Sequence, residues 1–143
     1  MSLSRSIVKP ASHAAPAGNY STAIRTPLSG EAALLSISGQ VAKGRDGMPT
    51  ALGDAGKQTE VIFDLVSEIL DAAGGTIDDL VGIVIHIVDR ADFQAVKRVR
   101  DSRVGDPPPT SSIVQVSGLA SPEFLVEVTA TAVLSTTGGE EVR

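Results

Sequence analysis

Glu127 is the single charged residue in the run Phe124 to Leu134, FLVEVTATAVL. Read as a strand, the run places Glu127 on one face with Leu125 and Thr129, and Val126 and Val128 on the other. A carboxylate set among apolar neighbours can orient or deprotonate a hydrolytic water. By pattern alone, an exposed glutamate at a sheet edge is the better account. His86 interrupts the apolar run Leu80 to Val88, LVGIVIHIV. An imidazole there can exchange a proton near neutral pH, and the plainer alternative is a packed histidine with both ring nitrogens satisfied. Ser111 shares a strand face with Ile113 and Gln115. With no His–Asp pair in evidence beside it, it is not read as a nucleophile.

Other polar clusters carry less. Lys97 to Arg103, KRVRDSR, reads as a solvated helix face with cations favourably placed at the C-terminal end. Lys43-Gly44-Arg45-Asp46-Gly47 matches no phosphate-binding spacing, and Gly53 to Lys57 is too short for a P-loop, so it reads as a helix start. The two histidines are His13 and His86, and cysteine is absent. His13 falls in a loose N-terminal stretch, which leaves no metal site, and no cofactor is expected.

The elements that must position these residues follow from composition and periodicity. The chain has 143 residues, 42% hydrophobic but only 3% aromatic, so one domain is expected with a core of Val, Ile, Leu and Ala. A net charge of −5 gives no electrostatic footprint for nucleic acid. No apolar run approaches the roughly 18 residues of a membrane span. The lack of cysteine fits a reducing compartment, and a cytoplasmic location is expected. Residues 1–17, rich in Ala, Ser and Pro, read as a flexible tail. The alternative is an organelle transit peptide, because Arg5 and Lys9 sit among serines.

Between loose ends, Tyr20–Arg25 and Ala33–Val41 read as strands joined by a turn around Thr26 to Gly30. Lys43 to Leu52 is a loop, with a short extra strand near Met48 as an option. Asp54 then offers an N-cap for a helix from Ala55 to Ala73, ended by Gly74-Gly75. Leu80–Val88 is a strand with Val81, Ile83, Ile85 and Ile87 on one side and Val84 and Val88 on the other. A strand apolar on both faces needs cover on both. A second helix, Ala91–Arg103, can join the first on one side only, so the other side calls for a partner subunit. Ser111–Val116 and Phe124–Leu134 complete an α+β fold, one mostly antiparallel sheet with two helices packed on one face.

Taken together, these segments resemble one family. Pro109-Thr110-Ser111-Ser112, the apolar strand after it, the loop from Ser117 to Pro122 and Val126-Glu127-Val128 follow the signature of the Rid group, also called YjgF or L-PSP. Tyr20, Ser38-Gly39-Gln40-Val41, Ala55-Gly56-Lys57-Gln58-Thr59, Ile69 to Gly74 and Val88-Asp89 before Asp92-Phe93 match in the same order. The resemblance runs from about Gly18 to Val133, giving a domain over 18–134 and a second loose end at 135–143. It implies a chorismate mutase-like (YjgF-like) fold in a homotrimer with a barrel-like centre. Small molecules would bind in clefts between subunits, lined at the positions of Tyr20, Ser38, Gly39, His86, Ser111, Ile113 and Glu127.

Active members of that family hydrolyse enamines and imines such as 2-aminoacrylate to a keto acid and ammonia. An arginine grips the substrate carboxylate, and the residue matching Glu127 positions water. Here Ser111 stands where the arginine falls, so an altered substrate range is expected unless Arg25, Arg100 or Arg103 compensates. The function expected is hydrolytic deamination of small imines, with Glu127 and His86 catalytic and Tyr20 and Ser38 shaping the pocket. Two alternatives stay open: a non-catalytic small-ligand-binding trimer, and an endoribonuclease of the L-PSP type. Acidic charge and scarce aromatics argue against general RNA binding.

Overall fold

A computed structural model of the chain describes residues 4–135. Asp54 opens its longest element by accepting a hydrogen bond from the Lys57 N–H at 3.0 Å, as an N-cap should. Helix α1, Ala55–Ala73, follows. It ends where Gly74 turns to φ 89° and the N–H groups of Gly74 and Gly75 bond back to the carbonyls of Asp71 and Leu70. That left-handed step favours a residue without Cβ. Ile62, Phe63, Val66, Ile69 and Leu70 of α1 are fully buried.

They lie in one cluster with the inward side chains of a six-stranded sheet. The strands are β1 (Ser6–Val8), β2 (Ala23–Pro27), β3 (Ala32–Gln40), β4 (Leu80–Ile87), β5 (Thr110–Gln115) and β6 (Val126–Ser135), in the spatial order β1-β2-β3-β6-β4-β5. Every pairing is antiparallel except β4 with β5. Parallel neighbours need a crossover element, and helix α2, Phe93–Arg103, supplies it after a 3-10 turn at Arg90–Asp92. The α+β architecture is therefore the expected one. Arg103 ties the two helices together: its Nη2 sits 2.6 Å from Asp64, and its guanidinium lies 5.9 Å from the centre of the Phe63 ring.

Three expectations need correction. Val81 does not share the inward face of β4, because the register against β6 shifts between Leu80 and Gly82. The extra residue reverses the alternation, so Leu80 is buried with Ile83, Ile85 and Ile87 while Val81 is 46% exposed. Near Met48 there is only an isolated bridge between Lys43 and Pro49. Residues up to 17 are not a loose tail throughout. Ser6–Val8 extends the sheet by pairing with β2, and Val8 drops into the core. Pairing satisfies the otherwise open edge of β2, which a short segment can do without any periodicity of its own. At the other end Ser135 belongs to β6, and the rest of the expected C-terminal tail lies outside the described residues.

His13 also departs from expectation. Its side chain is 6% exposed and its Nε2 lies 2.9 Å from Glu68 of α1. The same carboxylate oxygen accepts from Ser12 at 3.1 Å, and Lys9 donates to the His13 carbonyl. Burial pushes the His13 imidazole below the ordinary histidine value of 6.5; Glu68 opposes that shift, and Lys9 and Lys43 add to it.

Gln58 joins the helix layer to the site strand. It is fully buried on the first turn of α1. Its amide NH2 donates to the Glu123 carbonyl at 2.8 Å and to Ala51 at 3.4 Å, while its oxygen accepts from the Leu125 N–H at 2.9 Å. The backbone is thus pinned two residues before Glu127. Gln58→Leu leaves the Glu123 and Leu125 groups without these partners, and a loss of about 1–3 kcal/mol in unfolding free energy is expected by chemical denaturation.

The His13 shift sets a pH dependence. A folded pKa below the unfolded one means that the unfolded chain binds the proton more readily in the interval just under 6.5. The contribution of this group is full above that value and declines as pH falls through it. Thermal midpoints compared between about pH 7.5 and about pH 5 are expected to fall less steeply in His13→Gln than in the parent chain.

Candidate functional site

The outward face of the sheet collects the residues that the alternation leaves out of the core. On β6 these are Glu127, Thr129 and Thr131, and on β4 Val84 and His86. Glu127 stands opposite His86 in the β4–β6 register, which puts their Cβ atoms about 5 Å apart. Among the described residues neither side chain has a hydrogen-bonding or ionic partner of its own. On the other flank β3 is irregular. Its register against β6 slips between Ile37 and Gln40, and Gly39 sits within the irregularity. A Cβ added to Gly39 would overlap the Glu127 carboxylate. The glycine leaves room for that carboxylate where it stands, and a side chain at this position would push the carboxylate aside.

Ser38 holds this geometry from behind. Its hydroxyl donates to the Ser21 carbonyl at 2.6 Å and its N–H to Thr22 at 2.9 Å. The hydroxyl proton is thereby committed to the backbone. Gln40 closes the irregularity by donating to the Ser38 carbonyl at 3.0 Å. Tyr20 lies just before β2 and is 51% exposed. Its phenol oxygen accepts weakly from the Ala17 N–H at 3.4 Å.

Tyr20 and Gly39 also border a cavity of about 160 Å³ between the N-terminal segment, β3 and α1, with His13, Glu68, Lys43 and Arg45 in its wall. No pattern in the sequence announces this cavity. His13 and Glu68 are 55 positions apart and meet only through tertiary packing.

Ser111 and Ile113 lie elsewhere within the same chain. In the parallel register Ile83 pairs with Ser111 and Ile85 with Ile113, so both face the helix layer, and Ile113 packs on the core. Ser112 and Val114 take the outward positions. One chain therefore brings together Glu127, His86 and Gly39, with Ser38 behind them. It places Tyr20 at the rim and sets Ser111 and Ile113 on the opposite face at the β5 edge.

The three cations that could stand in for a missing strand arginine separate cleanly. Arg25 is on β2, four strands from β5 in the sheet order, or about 19 Å at the usual strand spacing. Arg103 is engaged with α1. Arg100 reaches Ser111, donating from Nη1 to its Oγ at 3.0 Å. The run of cations in α2 was visible in the sequence, but not which of them turns toward the sheet. No set of three or more metal-ligating side chains gathers among the described residues, and no helix there is long and apolar enough to cross a membrane.

The same fold recurs in solved structures. RidA from an Antarctic Psychrobacter is 25% identical and superimposes with a TM-score of 0.78 over 90% of this chain and 99% of its own. A Rid-family protein of unknown function, YyfA from Yersinia pestis, is 27% identical with a TM-score of 0.79 over 92% of this chain and all of its own. In sequence, a RutC family protein of Pyrococcus horikoshii is 29% identical over 117 residues, 82% of this chain and 88% of that one. The family described as Endoribonuclease L-PSP matches residues 11–134. That match takes in Ser12, His13 and every candidate residue above, and the chain belongs to the Endoribonuclease L-PSP family, the Rid or YjgF group.

Proposed function

We propose that the protein is a hydrolytic deaminase of small imines and enamines, working in clefts between three copies of the chain. The observation that carries this is the Glu127 carboxylate, half-buried over Gly39, opposite His86 and without a partner among the described residues. A carboxylate so placed has its lone pairs available to a water. Water adds to the imine carbon as Glu127 takes its proton, forming the C–O bond of a carbinolamine. That proton passes to nitrogen, the carbinolamine O–H proton follows it by way of Glu127, the C–N bond breaks as the C=O bond forms, and a carbonyl compound and ammonia leave. His86 is the second group within reach for that proton.

An uncovered apolar face supports the same reading. Val84, Val114 and Val133 are 39–46% exposed on the outward side, and helices cover only the other. Burying such a surface against further copies is favourable. It also offers a way to bring the β5 edge of one copy toward Glu127 of the next. A second reading, RNA cleavage, has in its favour the name of the matched family and a putative endoribonuclease of Thermotoga maritima, 26% identical with a TM-score of 0.78. The net charge of −5 weighs against it.

Two outcomes are expected. Light scattering should give three times the 14.7 kDa chain mass; a monomer would remove the intersubunit cleft. Keto-acid release from 2-iminobutanoate, generated in place by a threonine dehydratase, should accelerate on adding the protein. Glu127→Gln should then slow it by about 100-fold or more without altering the oligomer. Unchanged turnover in that variant would refute the role of Glu127. Cleavage of RNA in place of imine hydrolysis, lost in the same variant, would favour the second reading.

A further inference from the structure

The last turn of α2 carries a fixed cation that the proposed chemistry has not yet used. Arg100 donates from Nε to Asp101 Oδ1 at 3.0 Å, and its Nη2 lies 2.9 Å from the same oxygen. On the other side of the guanidinium, Nη1 donates to Ser111 Oγ at 3.0 Å. The side chain is only 19% exposed, so its plane is held by a neighbour on each side. Nη1 bears two N–H groups, and one of them remains for a ligand. Ser111, accepting from Arg100, keeps its own hydroxyl proton to give away. Two convergent donors thus meet at the β5 edge.

The surroundings define what they suit. Arg100, Asp101, Val104, Pro108, Pro109 and Ser111 line a depression of about 220 Å³. Proline has no N–H, so the Pro108-Pro109 wall supplies apolar surface and no competing donor. Lys97 lies 3.0 Å from the carboxylate of Asp101 that Arg100 also engages. Two cations share one anion, which leaves the cluster with a single net positive charge. A planar monoanion with a short apolar chain fits a planar guanidinium in such a place. A phosphate dianion or a polyanion calls for more charge than this.

We infer that Arg100 and Ser111 form the subsite for the carboxylate of a small 2-imino or 2-oxo acid, with the guanidinium delivered from helix α2. Its link to turnover rests on the deaminase reading and on a neighbouring copy bringing Glu127 to this edge. Binding of the carboxylate does not.

The test therefore separates binding from chemistry. Titration of the full-length protein with 2-oxobutanoate, followed by NMR, is expected to show binding in the parent chain. Arg100→Gln should weaken it by about 10- to 100-fold, as expected for a hydrogen bond to a charged group. Arg100→Lys should recover part of it, and the uncharged analogue 2-butanone should bind all three chains alike. Ser111→Ala, at an exposed edge position, should weaken 2-oxobutanoate to a smaller degree and serves if Arg100→Gln does not fold. Equal affinity in the parent chain and in the variants that fold, or no binding by the parent at millimolar ligand, would overturn the assignment. Loss of binding in Arg100→Gln with no hydrolysis of 2-iminobutanoate by the parent would leave the subsite standing and remove the deaminase reading. With hydrolysis present, Arg100→Gln should raise KM for 2-iminobutanoate far more than it lowers kcat.

Discussion

The amide of Gln58 is a constraint on which much of the site geometry depends. A fully buried amide is costly to leave unpaired, so its donors and acceptor fix what surrounds them. Here they fix backbone, joining the start of α1 to the carbonyl of Glu123 and the N–H of Leu125. The segment entering β6 therefore has one position along the strand direction. With a side-chain period of two, that position decides which residues of β6 meet the helices and which face outward. Val126, Val128, Ala130, Ala132 and Leu134 turn inward, and Glu127 is turned out as a consequence.

Two irregularities then adjust what the regular sheet cannot provide. The slip in β3 brings Gly39 under the Glu127 carboxylate, and the slip in β4 returns Leu80 to the core at the cost of exposing Val81. Bulges of this kind re-aim side chains without altering the fold. Ser38 shows how such a place is kept: its hydroxyl and N–H are both tied to the chain ahead of β2, so the turn of backbone that includes Gly39 is braced from one side.

Much of this was legible in the sequence, and the reasons differ by element. Helix α1 announced itself by its N-cap, its period and its terminal glycines, all local signals. The apolar run of β4 gave its strand and the face of Ile83, Ile85 and Ile87, but a single inserted residue moved Val81; the isolated Gly82 inside the strand is the one local mark of that bulge. The three residues of β1 carry no period at all; they exist as a strand because β2 offers an edge. Glu127, His86 and Gly39 could be chosen by residue type and motif, and their mutual placement follows from strand pairing. The contact of Arg100 with Ser111 could not be read, because α2 presents several cations and only packing decides which of them turns inward. The same holds for His13 on Glu68.

Strand order has a further meaning for how the molecule comes into being. β6 is the last of the described strands to leave the ribosome, yet it lies in the interior of the sheet, between β3 and β4. Until it arrives, β3 and β4 have no partner on the side that β6 takes, so β1-β2-β3 and β4-β5 cannot join into one sheet. Long-range pairing of this sort is slow and leaves edges open to wrong partners. The strand that bears Glu127 is thus also the one that closes the fold, so a chain cut short before β6 loses its carboxylate and its sheet in the same event.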